Sequence, residues 1–185
     1  MSTSVKVTVE QFDEMSERGE FDDDPRRFEL INGEVREMPA PNPPHEEADE
    51  RLTRWSFQNL SEVGVRVRTQ SSIGLPELDS VPVPDLIWLM NRDYSSRRPL
   101  ASEVLLVIEV SDSTLSYDRN TKAKLYAAAG LADYWIVNIR GRCFEVLRDP
   151  GSSRYKSKTI FYPGEEIPPL ALPNLAFPVS LIFPE

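Results

Sequence analysis

Three side chains of types that cooperate in phosphoryl chemistry stand at informative places in this chain: Asp85 directly after Pro84, Glu109 inside the apolar run VLLVIEVS at 104–111, and Lys122 in YDRNTKAKLYAAA at 117–129. A Val/Leu/Ile run of that length is expected to be a strand covered on both faces. An unpaired carboxylate within it would be costly or would take up a proton. Something near Glu109 must therefore make the charge worth keeping. If the strands carrying Asp85 and Glu109 are neighbours, both acids reach the same end of the sheet, where they can hold a hard cation such as Mg²⁺ that keeps several of its waters. Asp118, Lys122 and Tyr126 are spaced i, i+4, i+8 and share one helix face. A lysine there can orient a nucleophilic water or stabilise charge developing on phosphorus. Each element also has a purely structural explanation, such as a Pro-Asp turn, a Glu109–Lys122 ion pair or an Asp118–Lys122 surface bridge.

These residues need elements to position them. The run DLIWLM from Asp85, the run VLLVIEV and the segment DYWIVNI at 133–139 are expected strands. The helix between the last two, closed at Gly130, makes strand–helix–strand a right-handed crossover on a mixed sheet. VRVRTQSSIGL at 65–75 alternates as a further strand. HEEADERLTRWSFQNLSEVG at 45–64 carries Leu52, Trp55, Phe57 and Leu60 as a helix closed near Gly64. Thr8 with Gln11 forms a capping-box pattern for a peripheral first helix, ending around Arg18 and Gly19. After the acidic loop FDDDPRR, the segment FELINGEVREM is a hairpin turned at Asn32-Gly33, and CFEVLRD with RYKSKTIFY is a second one around Pro150-Gly151. The tail from Pro163 is expected as a proline-punctuated surface strap. The whole chain is expected as a single α+β or α/β domain: an N-terminal extension over 1–43, a core over 44–140 and a C-terminal hairpin and strap over 141–185.

Bulk properties narrow the possibilities. At 185 residues the chain can bury a real core, and its 40% hydrophobic content is broken into short runs, with no membrane span and no signal pattern. A cytoplasmic location is expected. One cysteine, Cys143, and one histidine, His45, exclude both an internal disulfide and a Cys/His zinc cluster, and Cys143 is expected as a packed thiol. The net charge of −9 argues against a surface coated for nonspecific DNA binding, although Arg92, Arg97 and Arg98 could form a local basic rim.

The stretches FELINGEVREMPAPNPPHEEA, VPVPDLIWL and VIEVSDSTLSYDRNTKAKLYAAAGLADYWIVN resemble the Uma2 family, a cyanobacterially expanded branch of the PD-(D/E)xK nuclease superfamily. The resemblance covers roughly residues 8 to 180. It implies a restriction-endonuclease-like core with Asp85 as the motif aspartate, Glu109 as the motif acid and Lys122 as a catalytic lysine migrated to the helix. The superfamily's E-x-K pattern would place that lysine at 111, where this chain has Ser111. Lys124 is the second choice. His45 and Glu46 open a helix at the family's histidine position and could complete a metal shell. Gln70 could hydrogen-bond a metal water or the scissile phosphate, and Glu34 is taken as structural. The implied activity is a Mg²⁺- or Mn²⁺-dependent endonuclease on DNA rather than RNA, working as a homodimer because cuts in opposite strands need two sites. The alternative is a catalytically silent nuclease-fold binding or assembly module, with the apolar tail LALPNLAFPVSLIF covering a neighbour's sheet edge.

Overall fold

The computed structural model describes residues 6–22 and 26–184. Part of the acidic loop expected at 21–27 therefore lies outside the described residues. Helix α1 (Val9–Glu17) is capped by Thr8, whose side chain accepts from the Gln11 amide while Gln11 reaches back to the Thr8 amide. Strands β1 (Arg27–Ile31) and β2 (Glu34–Met38) pair antiparallel around Asn32 and Gly33. Both turn residues have positive φ, 51° and 81°, as a type I′ turn requires. Helix α2 (Pro43–Leu60) follows, started by the Asn42 side chain accepting from the His45 amide.

The main sheet is built from β3 (Val65–Thr69), β4 (Leu86–Met90), β5 (Val104–Ser111), β6 (Asp133–Asn138), β7 (Cys143–Pro150) and β8 (Tyr155–Phe161), in that spatial order. Only β5 and β6 run parallel. The crossover joining them is a continuous helical stretch over 115–128, here α3, whose middle, Asp118–Lys122, is π-helical. Gly130 ends it with φ 78°, and the Leu131 amide returns to the Tyr126 carbonyl. Cys143 is buried and unpaired at the start of β7.

The two faces of the sheet carry separate cores. Leu86, Trp88, Ile108, Trp135 and Phe144 pack with α2 through Leu52 and Leu60, while Ile87, Val107 and Tyr134 pack with α3 through Leu125 and Tyr126. This two-sided burial explains why β4, β5 and β6 read as unbroken apolar runs.

Three expectations need correction. The strand expected over 65–75 stops at Thr69, because Gln70 takes a left-handed conformation (φ 46°) that breaks the ladder. Arg92 and Arg97 do not form a free basic rim, since both pair with the buried Glu103, and Arg98 pairs with Asp13. The tail is not a surface strap. Ile167, Phe177, Val179, Ile182 and Phe183 are buried in the α2-side core, with Phe177 packed on Trp55, Trp135 and Phe144. Prolines interrupt regular structure there without preventing burial, and β9 (Glu166–Ile167) pairs β10 (Phe177–Pro178) across the excursion. The apolar tail covers its own sheet, so it gives no reason to invoke a neighbour's.

Candidate active site

The register of β4 and β5 positions the two acids. Leu86 pairs with Ile108, so one step beyond the ladder Asp85 stands opposite Glu109 and on the same face. Two like charges in that relation repel. Each has one oxygen committed. Asp85 Oδ2 accepts from the Val110 amide at 2.7 Å and lies 3.3 Å from His45 Nε2. Glu109 Oε1 accepts from Lys122 Nζ at 2.8 Å and from the Tyr126 hydroxyl at 2.7 Å. Among the described residues no donor reaches Asp85 Oδ1 or Glu109 Oε2, and both residues line an open cleft.

Glu109 is 3% exposed, and burial pushes its carboxyl well above the usual range; Lys122 opposes this, while Asp85 and Asp118 reinforce it. Burial also disfavours the Lys122 ammonium, but Glu109, Glu29 and Asp118 outweigh it and hold the lysine protonated. The π-turn leaves Asp118, Lys122 and Tyr126 all buried on the sheet side, whereas Lys124 is exposed. Such widened turns recur at functional sites. Ser111, at the superfamily's lysine position, donates to Asp118 Oδ2 at 2.7 Å, and Tyr134 donates to the Asp118 carbonyl. Burial raises the Asp118 carboxyl as well.

His45 reaches the cleft from the first turn of α2; burial works against its charge, but Asp85, Asp49 and Asp118 prevail and raise its pKa. Glu46 points elsewhere: it is exposed and does not line the cleft. Gln70 lines the cleft, but its Oε1 accepts from Arg27 at 2.8 Å. Glu34 is exposed and paired with Arg36.

Glu29 of β1 is the member that sequence reasoning missed. It is 3% exposed, its Oε2 lies 3.4 Å from Lys122 Nζ and accepts from the Val83 amide at 3.2 Å, and its Oε1 accepts from the Tyr117 hydroxyl at 3.1 Å. The signal was present in FELI, a lone carboxylate in an apolar strand, which is the same pattern that singles out Glu109. Asp49, four residues after His45 on α2, was also missed. Burial, helped by Asp85, raises it to about 6.

Glu29, Asp85, Glu109 and Asp118 thus line one cleft with a single lysine. Among the described residues no three His, Cys, Asp or Glu side chains converge as a metal-binding group. The free oxygens of the two carboxylates could hold a hard cation with water completing its shell, as Mg²⁺ is bound through one or two carboxylates. The cleft offers one histidine and no cysteine, too few for the Cys/His sets that bind structural zinc.

A six-stranded mixed sheet flanked by helices, with acids and a lysine meeting at the end of adjacent central strands, defines a restriction-endonuclease-like domain. The Uma2 family, described as "putative restriction endonuclease", matches residues 9–180, and the chain belongs to that family. The fold is shared with the crystal structure of "a putative nuclease belonging to DUF820" from Anabaena variabilis, at 16% identity and a TM-score of 0.68, covering 84% of this chain and 89% of that one. No curated protein matches the chain. Among the described residues no helix is long and apolar enough to cross a membrane.

Proposed function

We propose that the chain is a nuclease hydrolysing phosphodiester bonds in DNA, with Mg²⁺ or Mn²⁺ as cofactor. The observation that carries this is the cross-strand pair Asp85 and Glu109, each with one oxygen free toward the cleft, with Lys122 reaching the same point at 2.8 Å. Asp85 and Glu109 would hold the cation, which when bound supplies Lewis-acid polarisation of the phosphate and a more acidic water. Lys122 contributes a fixed positive charge beside the acids, placed to orient the attacking water or to stabilise the charge developing on phosphorus. Tyr126 fixes the Glu109 carboxylate from behind. His45 holds Asp85 and lies within reach to move a proton. Acting on both strands would take two copies of the chain.

The test is cleavage of single- and double-stranded DNA with Mg²⁺ or Mn²⁺ by the wild type, Asp85→Ala and Glu109→Ala. The proposal expects activity in the first only. Equal trace activity in all three would point to contamination and end it. The direct Lys122–Glu109 contact also favours a second reading, a catalytically silent module in which the pair is structural. Calorimetric titration separates the two: metal binding lost in Glu109→Ala supports the nuclease, and no binding at millimolar metal supports the silent module.

A further inference from the structure

We propose that Arg27, Gln70 and Arg68 form a phosphate track that seats the DNA backbone flanking the cleavage point, leading from the acids onto the edge strand β3. The proposal rests on the nuclease reading for where the strand is cut. Gln70 lines the acid cleft and two neighbouring grooves; Arg27 lines the acid cleft and one of these grooves, and Arg68 lines the other. In a chain of net charge −9, most of the neighbouring arginines are neutralised by carboxylates. Arg27 and Arg68 are different. Neither has a carboxylate within ion-pair distance among the described residues.

Each guanidinium is nevertheless held in place. Arg68 lies over the ring of Tyr94, with its guanidinium carbon 5.3 Å from the centroid, and Tyr94 is 4% exposed with its hydroxyl donating to the Met90 carbonyl. A guanidinium stacked on an aromatic face keeps its N–H fork free for a planar anion such as phosphate. Arg27 donates one N–H to Gln70 Oε1, and the Gln70 amide nitrogen has no acceptor among the described residues, which leaves its two N–H donors uncommitted.

The backbone at Gln70 supports the same assignment. Its φ of 46° is a left-handed conformation that a non-glycine residue adopts only under strain, and its amide donates to the Asp85 carbonyl at 2.8 Å. The kink ends β3 beside the catalytic aspartate and turns the Gln70 side chain to Arg27. Beyond it the Ser72 hydroxyl accepts from Arg98, whose other partner, Asp13, is thereby neutralised within the groove. Glu17 is the remaining acid there.

The test is fluorescence anisotropy with a labelled short DNA strand and its duplex, in Ca²⁺ without Mg²⁺, over a range of NaCl concentrations. Arg27→Ala/Arg68→Ala should weaken binding about tenfold, and the slope of log affinity against log salt should shrink by about 2, near one for each phosphate no longer neutralised. Arg68→Lys should retain most of the affinity. Arg27 is exposed, so Arg27→Ala alone leaves the fold intact and should show half of the slope change. Unchanged affinity and slope in the double variant, or no binding by the wild type, would overturn the track. The two proposals fail separately. Cleavage sensitive to Asp85→Ala but indifferent to the arginines removes only the track, whereas arginine-dependent binding without cleavage under any metal removes only the nuclease reading.

Discussion

Removing the Lys122 charge asks what holds four carboxylates together at the end of a sheet. In Lys122→Met, Glu109 and Glu29 lose a cation at 2.8 and 3.4 Å, attractions of about 6 and about 5 kcal/mol at an effective dielectric constant near 20. Most of this gross energy offsets the desolvation of the ions. The net loss expected on breaking a buried pair from one side is about 3–5 kcal/mol. For a domain of this size that lowers Tm by roughly 10 °C, read by thermal or urea unfolding. The informative comparison is Lys122→Met/Glu29→Gln/Glu109→Gln. There Tyr126 still donates to residue 109, and Tyr117 and the Val83 amide still donate to residue 29, so the two carboxylates nearest the lysine leave no charge stranded, while Asp118 keeps the Ser111 hydroxyl. Replacing a buried ionic network with neutral groups of similar shape is often neutral or stabilising. The triple variant should therefore recover to within about 1 kcal/mol of the wild type while losing cleavage. A triple variant as unstable as Lys122→Met would mean that the charges are kept for folding, and the inference from Glu109 to chemistry would fail.

Two further outcomes are expected. Asp49 is raised from its ordinary value to about 6, so the stability it contributes is complete at low pH and is lost as pH rises through about 6. Asp49→Asn should accordingly raise Tm at pH 8, leave it nearly unchanged at pH 4 and flatten the profile between; a gain confined to low pH would contradict the sign. Phe177→Ala empties a position packed on Trp55, Trp135 and Phe144 and should cost about 3–5 kcal/mol in urea unfolding, whereas a tail serving only as an exposed strap would lose less than 1.

Elements with strong local physics were legible in the sequence. Asn32-Gly33 specified its turn because few other pairs accept two positive φ angles, and the Thr8/Gln11 capping box and the Gly130 stop followed from hydrogen bonding within a few residues. Asp85, Glu109 and Lys122 could be associated because strand and helix periodicities fix which side chains share a face, and the π-turn shifts the helix register without moving Lys122 or Tyr126 off the buried side. What local pattern could not reveal was docking. Glu29 enters the site only because the β1–β2 hairpin lies against 79–83, through reciprocal hydrogen bonds between Leu30 and Val81. The tail's burial likewise depends on which part of the sheet α2 leaves uncovered. Gln70 was legible as a polar residue near the site, but its backbone kink was not, since glutamine, unlike asparagine or glycine, carries no signal for positive φ.

Whether Asp85 and Glu109 grip one divalent cation decides between the nuclease and a silent module, and a crystal soaked in Mn²⁺ answers that question by direct observation. Anomalous scattering should show a manganese peak bridged by the two carboxylates beside Lys122, and that peak should vanish in Glu109→Gln. Manganese bound elsewhere, or a cleft that stays empty at millimolar Mn²⁺ with both carboxylates turned away from each other, would contradict a shared cation site.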